Sequence, residues 1–303
     1  MKKILMIAIG MLLGASSSFA GALPMQVFAV DNSNGKITAK SVEEAFNASG
    51  LKVDVNNNMN SIFEKRYGNV HHKSYNLAIF TNNDLVMKLM KKHPSIGLIT
   101  PLSMSIYSDD AKKTMNISTL SLHGMSRITK IPETDPDLMK YAKLLDYAVH
   151  KALPNGKYVA LKNNANNEAS VTAVTTEFSL EDYDSYTEAK EDFESEFESE
   201  LGPVGFLIPK SYKYDVAEYD FFDTYSIIRF NAIFPVSKDH PEAGAFAPFS
   251  LSIYKKKNED TVHVAYPSID NWINDLGIKD EKTVGEVRKT HSMVKGILEE
   301  LTE

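Results

Sequence analysis

A fifteen-residue stretch with a regular pattern of hydrophobic and polar positions occurs twice in the chain. It reads HPSIGLITPLSMSIY over residues 93–107 and HPEAGAFAPFSLSIY over residues 240–254, so eight of fifteen positions are identical at a spacing of 147 residues. Unrelated segments of average composition would share about one position. We therefore interpret the chain as a tandem duplication, in which one structural unit is used twice.

In both copies the second half of the stretch alternates between large apolar and small polar residues. From position 102 the order is Leu, Ser, Met, Ser, Ile, Tyr, and from position 249 it is Phe, Ser, Leu, Ser, Ile, Tyr. A period of two is typical of a β-strand, and it puts Ser103, Ser105 and Tyr107 on the face opposite the apolar side chains. A polar run and a second alternating segment follow in both copies, which predicts two β-hairpins of the same length.

The same patterns predict the other elements. Capping boxes are expected at Ser41 with Glu44 and at Thr283 with Glu286, and Asp135-Pro136 is expected to start a long helix that ends near Leu153. In the first unit the residue pattern predicts strands at 26–31, 51–55 and 74–80, short helices at 41–50, 61–67 and 85–92, and a further strand at 157–162. In the second unit the pattern predicts strands at 171–178, 205–214 and 224–230, a helix at 181–201 and a final helix from 283.

These elements predict an α+β fold, a tandem repeat of two similar two-layer α/β domains with largely antiparallel sheets. We place the first repeat domain at residues 23–162 and the second at 168–303. The Asn-rich run 162–168 between them has neither hydrophobic period nor bulk, which is typical of a boundary.

Residues 1–22 have the pattern of a signal peptide. Lys2 and Lys3 precede an apolar run from Ile4 to Leu13, and small residues follow. The apolar run is too short to span a bilayer. We therefore expect cleavage before Gly21 or Leu23 and a mature chain that is periplasmic or secreted, soluble and without a transmembrane segment.

Charge and cysteine content exclude several classes of partner and chemistry. Removal of Lys2 and Lys3 leaves 31 basic residues, two fewer than the 33 of the full chain, against 40 acidic ones. This acidic balance argues against nucleic acid as a partner. The chain has no cysteine, which excludes disulfides, thiolate metal sites, covalently attached c-type haem and a thiol nucleophile.

One segment of the second unit is strongly acidic. Ten acidic residues lie between Glu181 and Glu200, with Lys190 as the single base among them. Such a run is typical of a solvated helix face, and it would also suit docking of a basic partner or of cations. The sequence leaves both interpretations open.

A series of motifs resembles a known family. The order Tyr-x-[Leu/Ile]-x-x-Phe, at Tyr75–Phe80 and Tyr225–Phe230, then Pro-x-x-Gly-x-x-x-Pro, an alternating strand ending in Tyr and a hairpin, resembles the domain of unknown function 302 family in both units. The resemblance implies a compact two-layer α/β domain that can dimerise, and hence two units paired as a pseudo-dimer. It implies no established activity. Many relatives carry a Cys shortly after the second Pro, where this chain has Ser103 and Ser250, so a thiol role in those relatives would be absent here.

Familiar catalytic motifs are missing from the sequence. There is no Gly-Lys phosphate loop, no Gly-x-Ser-x-Gly elbow, no His-Glu-x-x-His pair and no dinucleotide fingerprint after a strand. Asp54, Asn56 and Asn58 have the spacing of a calcium loop, but Met59 stands where that loop needs Gly. We interpret this run as the end of a strand followed by a helix cap.

The candidate site residues come from the repeat itself. His93 and His240 hold equivalent positions, where they could cap helix carbonyls or jointly bind a metal or an anionic ligand. The sequence assigns no metal site and leaves any cofactor unknown. The adjacent pair His71-His72 predicts a solvated loop. The ligand-binding candidates, in full, are His93, His240, Ser103, Tyr107, Ser250 and Tyr254.

Three classes of function stay open. The first, which the missing motifs favour, is a binding protein whose seam or polar sheet face holds a small molecule, a metal or a protein partner. The second is an enzyme of unrecognised type that uses His, Ser and Tyr groups, and the third is a structural or assembly protein of the cell envelope. An apolar ligand would suit the aromatic residues of the second unit, which are also typical of a core: Phe221, Phe222, Tyr225, Phe230, Phe234, Phe246 and Phe249.

Overall fold

A computed structural model describes residues 23–109, 111, 113–161 and 173–302. The predicted signal peptide, residues 1–22, and the predicted boundary at 162–168 lie outside the described residues. Export and the two domain limits, 23–162 and 168–303, therefore stay predictions. No helix within the described ranges is long and apolar enough to cross a membrane.

The elements before residue 161 form what we call the first unit, and those after residue 172 form the second unit. The first unit contains β1 (Met25–Asp31), α1 (Ala39–Asn47), β2 (Lys52–Asn58), α2 (Met59–Tyr67), β3 (Tyr75–Thr81), α3 (Asn83–Met90), the first 3-10 helix (Pro94–Ile99), β4 (Leu102–Asp109), β5 (Thr114–Leu120), α4 (Leu122–Thr129), α5 (Pro136–Ala152) and β6 (Lys157–Tyr158). The second unit contains β7 (Ala173–Ser179), α6 (Tyr186–Leu201), β8 (Phe206–Tyr214), β9 (Tyr219–Arg229), α7 (Phe230–Asp239), the second 3-10 helix (Pro241–Ala245), β10 (Phe249–Lys256), β11 (Thr261–Pro267), α8 (Asp270–Leu276) and α9 (Glu281–Thr302).

The two units share one sheet topology. In the described part of the chain the first sheet has the order β2-β3-β4-β5-β1-β6 and the second has the order β8-β9-β10-β11-β7. All recorded strand pairs are antiparallel. The predicted α+β fold with two antiparallel sheets is confirmed, and the two repeated strands, β4 and β10, hold the same place in their sheets.

Strand pairing corrects one alignment made from the sequence. Tyr75 lies opposite Tyr107 in the first sheet, whereas Phe222 lies opposite Tyr254 in the second. The counterpart of Tyr75 is therefore Phe222, and the motif at Tyr225–Phe230 is shifted by three residues relative to Tyr75–Phe80. Apolar and aromatic residues recur often enough in buried strands to imitate a short motif, and only the pairing register distinguishes the two alignments.

Helix starts follow side-chain caps, but two of the predicted caps are wrong by one turn. The side chain of Thr38, not Ser41, caps α1 by accepting from the Ser41 amide. Similarly, Asp280 Oδ2 accepts from the Thr283 amide at 2.8 Å at the start of α9. In both cases the predicted cap residue is the third position of the helix, because Ser, Thr and Asp occur at both positions of such turns. The predicted start of α5 at Asp135-Pro136 is confirmed.

The polar face of each repeated strand is buried against the other unit. The Ser105 hydroxyl donates to the Pro241 carbonyl at 2.7 Å. A Cβ built on Gly244 would lie 2.4 Å from Ser105 Cβ, and one built on Gly97 would lie 2.7 Å from Ser252 Cβ. Each 3-10 helix thus packs directly on the sheet of the opposite unit, and the glycines permit this close approach. We call this reciprocal contact the seam.

One helix has no counterpart in the other unit. In the first unit α2 lies between β2 and β3, whereas in the second unit residues 215–218 join β8 directly to β9. α2 packs on the second unit: the Tyr67 hydroxyl donates to Asn231 Oδ1 at 2.7 Å, and the Tyr67 and Phe234 rings stack with centroids 4.0 Å apart. The duplicated architecture is therefore asymmetric on the side of the seam that α2 covers.

Candidate functional site

Ser103 and Ser250 lie in the centre of the seam, where little space remains. Both serines are buried, and the Ser250 hydroxyl donates to the Pro101 carbonyl at 3.0 Å. The cavity beside them has about 30 Å³ of free space, which admits one or two water molecules. Phe246 and Phe249 line the same cavity. A ligand role for the two serines stays a prediction, and the space beside them does not suit anything larger than water.

Tyr107 borders a second cavity, between β4 and the second 3-10 helix. The cavity has about 280 Å³ and is lined by six residues. Burial, together with the nearby Glu242 carboxylate, raises the pKa of Tyr107 above its usual range, so this phenol stays protonated at neutral pH. It can donate a hydrogen bond but is not a base. The lining residues are His71, His72, Tyr107, Ser108, Asp109 and Pro241.

Tyr254, the counterpart of Tyr107, lies in an aromatic stack. Its ring is 5.0 Å from the Phe222 ring, at an interplanar angle of 10°, and 5.0 Å from the His263 ring. His263 is in turn held by Glu177 and Glu259. Burial raises the pKa of Tyr254 to about 12. The two repeat tyrosines therefore have different surroundings, and only Tyr107 borders one of the cavities described here.

His93 and His240 each face a carboxylate of their own unit. His93 Nε2 lies 3.3 Å from Asp135 Oδ2, and His240 Nδ1 lies 3.5 Å from Glu242 Oε1. No group of three or more His, Asp or Glu side chains within the described ranges is placed to hold a metal ion. Whether the two histidines bind a ligand stays a prediction.

The C-terminal ends of α3 and α7, which precede these two histidines, are capped from across the seam. His72 Nε2 lies 2.6 Å from the Ser237 carbonyl oxygen, and the Tyr219 hydroxyl donates to the Met90 carbonyl at 2.8 Å. His72 and Tyr219 are 147 residues apart, as are Met90 and Ser237. The expectation of a solvated loop at His71-His72 was wrong, because these rings pack on the second unit.

A third cavity is a groove of about 670 Å³ on the α2 side of the seam, which we call the seam groove. The edge strands β2 and β8 meet beside it, where the Tyr212 hydroxyl donates to Asp54 Oδ2 at 2.9 Å. α2 closes the groove from the first unit. Its lining residues are Val55, Asn57, Met59, Ser61, Ile62, Lys65, Arg66, Leu77, Ile79, Leu207, Ile208, Pro209, Ile228, Phe230 and Pro248.

The chemistry of the seam groove is apolar with a basic edge. The first unit contributes three apolar strand residues from the sheet face that lies against the second unit: Val55, Leu77 and Ile79. All groove residues of the second unit are apolar. Lys65 and Arg66 carry the only charges among the lining residues described. The Arg66 guanidinium carbon lies 4.8 Å from the centroid of the Phe230 ring.

The first unit matches a known family. Residues 27–152 match the model of the Domain of unknown function DUF302. The expected second copy of this domain, over the second unit, stays a prediction at the level of the family. No curated protein matches the chain.

One solved structure is similar over the length of a single unit. It is described as the crystal structure of an uncharacterized conserved protein DUF302 from Bacillus stearothermophilus. The sequences are 15% identical, the similarity covers 42% of this chain and 97% of that chain, and the TM-score is 0.36.

The seam groove was only partly foreseeable from the sequence. A site at the seam was expected, but Leu77 and Ile79 read simply as an apolar strand. The helix at 61–67 was predicted correctly, and α2 spans Met59–Tyr67. What the pattern could not reveal is that α2 packs on the second unit, because nothing local distinguishes it from a helix that covers its own sheet.

Proposed function

We propose that the protein is an exported binding protein that holds a small, largely apolar molecule in the seam groove. The observation that carries this proposal is the groove itself, about 670 Å³ of space with mostly apolar lining between two sheets. Ligand sites in proteins are typically apolar clefts of roughly 300–1,000 Å³ with few polar groups. Clefts of this kind occur preferentially between domains, which is where the two units meet.

The missing catalytic motifs also favour binding over an enzyme. The groove contains no His and no acidic residue among its described lining, so it offers neither a general base nor a metal ligand of the usual kind. Its hydroxyl groups are limited to Ser61. Export is supported by the residue pattern at 1–22 alone.

A neutral fluorescent probe tests the binding proposal. We expect N-phenyl-1-naphthylamine to bind the wild-type protein with increased fluorescence, because its apolar rings move out of water and into the groove. The substitutions Val55→Trp and Ile208→Trp, one from each unit, fill the groove and should weaken probe binding at least about tenfold. Val159→Trp, at a 41% exposed position away from the groove, serves as the matched control and should leave binding unchanged.

Two outcomes would contradict the proposal. One is absence of probe binding by the wild-type protein. The other is unchanged affinity in both filled variants, provided that their circular dichroism and urea unfolding match those of the wild type. In the second case the probe binds elsewhere and the groove is not the site.

The location of the protein gives a separate prediction. N-terminal sequencing of protein from its own source should return Gly21 or Leu23 as the first residue, in the soluble extracytoplasmic fraction, because signal peptidases cleave after small residues. Recovery of an intact Met1 from the membrane fraction would show that export with cleavage is wrong.

A further inference from the structure

The charges of the seam groove come from one side only. Lys65 and Arg66 both lie in the last turn of α2, whereas the second unit contributes only apolar residues to the groove. α2 is also the helix of the first unit that has no counterpart in the second. The groove between the two similar units is therefore chemically asymmetric, with a basic end and an apolar body.

Neither cation forms an ion pair with an acidic side chain within the described part of the chain. Arg127, by contrast, is buried at the seam and pairs with Asp275 of the other unit. Both side chains are exposed. Their position at the helix C-terminus is favourable for a cation, but the helix dipole compensates only part of a charge.

The Arg66 side chain contacts the second unit. Its guanidinium carbon lies over the Phe230 ring, 4.8 Å from the centroid, which is a cation–π distance. The N–H donors of a guanidinium form a fork that matches a carboxylate or another oxyanion. Lys65, next to it, adds a second donor on a flexible stem.

We propose that the ligand of the seam groove is a single-tailed amphipathic anion, of the chemical class of a fatty acid, with its head group at Lys65 and Arg66 and its tail along Leu77, Ile79 and Ile228. This inference rests on the proposed function. The lining carries no acidic group to repel the head, and the apolar strands of both units cover the tail. Charge complementarity thus selects an anion over a neutral or cationic amphiphile of the same length.

Competition between matched amphiphiles tests the assignment. N-phenyl-1-naphthylamine, bound to the full-length mature protein, is displaced with monomeric dodecanoate, 1-dodecanol or dodecyltrimethylammonium. We expect dodecanoate to displace the probe at a concentration at least about tenfold lower than dodecanol, and dodecyltrimethylammonium to be the weakest. Added salt should reduce this preference, because the cations are exposed and screened.

Variants locate the head group. The double variant Lys65→Gln/Arg66→Gln should lose the preference for dodecanoate over dodecanol, whatever its own affinity for the neutral probe. Arg66→Lys should keep part of the preference, since it retains the charge. Lys91→Gln/Arg288→Gln removes two exposed cations elsewhere and should change nothing.

The outcomes separate this inference from the proposed function. Equal displacement by dodecanoate and dodecanol in the wild type, or a preference that survives in Lys65→Gln/Arg66→Gln, overturns the anionic head group while leaving an apolar site. Failure of the neutral probe to bind at all overturns both. Association with phosphatidylglycerol vesicles in the absence of any displacement by monomeric dodecanoate would indicate a membrane surface as the partner and would also overturn the inference.

Discussion

Gly244→Ala is expected to lower the free energy of unfolding by about 3 kcal/mol, the upper end of the usual cost of overpacking. A Cβ at this position would lie 2.4 Å from both the Cβ and the backbone nitrogen of Ser105. Ser105 is fully buried in the middle of β4, so its backbone cannot move away without breaking the sheet. Urea unfolding followed by circular dichroism measures the effect.

Other glycines provide the controls. Gly285→Ala and Gly296→Ala lie on α9 with nothing within 4 Å of the added Cβ, and they should raise stability by up to about 1 kcal/mol, since Ala favours a helix. Gly97→Ala should cost less than Gly244→Ala, because the added Cβ meets side-chain atoms of Ser252. The additional change Ser252→Gly should recover much of that loss. Equal stability of Gly244→Ala and wild type would mean that the seam is not as tightly packed as described.

Arg127→Ala is expected to lower the free energy of unfolding by about 3–5 kcal/mol at pH 7, the usual loss when one partner of a buried ion pair is removed. Arg127 on α4 pairs with Asp275 on α8, across the two units, and both side chains are buried, with 9% and 3% exposed. The truncation leaves the Asp275 carboxylate buried without a partner. Arg288→Ala, an exposed change on α9, should alter stability by less than about 0.5 kcal/mol.

The pH dependence of this loss has a definite sign. Burial raises the pKa of Asp275 to about 6 from 3.8 even though Arg127 opposes the shift, and removal of Arg127 raises it further. In the folded variant the carboxyl then binds its proton more tightly than in the unfolded chain, so its contribution to stability falls as pH rises from about 4. We expect the loss to be much smaller at pH 4 than at pH 7. A loss that does not change with pH, or that persists undiminished in Arg127→Ala/Asp275→Asn, would contradict the assignment of its cause to the unpaired carboxylate.

Much of the local structure was predictable because local interactions decide it. The strands β4 and β10 follow from strict alternation, α5 follows from Asp135-Pro136, and the stripe of α6 follows from the spacing of Ala189, Phe193 and Phe197, all of which are buried. Each of these signals lies within one or two turns or a few strand positions. The duplication could be inferred because eight identities in one register are hard to produce by chance.

The errors have two causes. The caps of α1 and α9 were placed one turn late, because several residues of the same turn can act as a cap. His71 and His72 were expected in solvent, and the counterpart of Tyr75 was misplaced by three residues. In these last two cases the deciding contact lies far away in sequence, with Ser237 for His72 and Tyr254 for Phe222.

Sequence patterns alone were sufficient to predict the α+β class, the positions of the strands and most helices, and the strand face that Ser103, Ser105 and Tyr107 share. What covers that face depends on the three-dimensional fold. The alternation of Leu, Ser, Met and Ser shows that the two faces of the strand differ. The pattern is the same whether the polar face contacts water, a ligand or another unit. The packing of the 3-10 helix on this face, and the seam groove that α2 lines beside it, arise from contacts between residues more than 130 positions apart, such as Ser105 with Pro241. Such contacts depend on how the two units pack, and local periodicity contains no information about that packing.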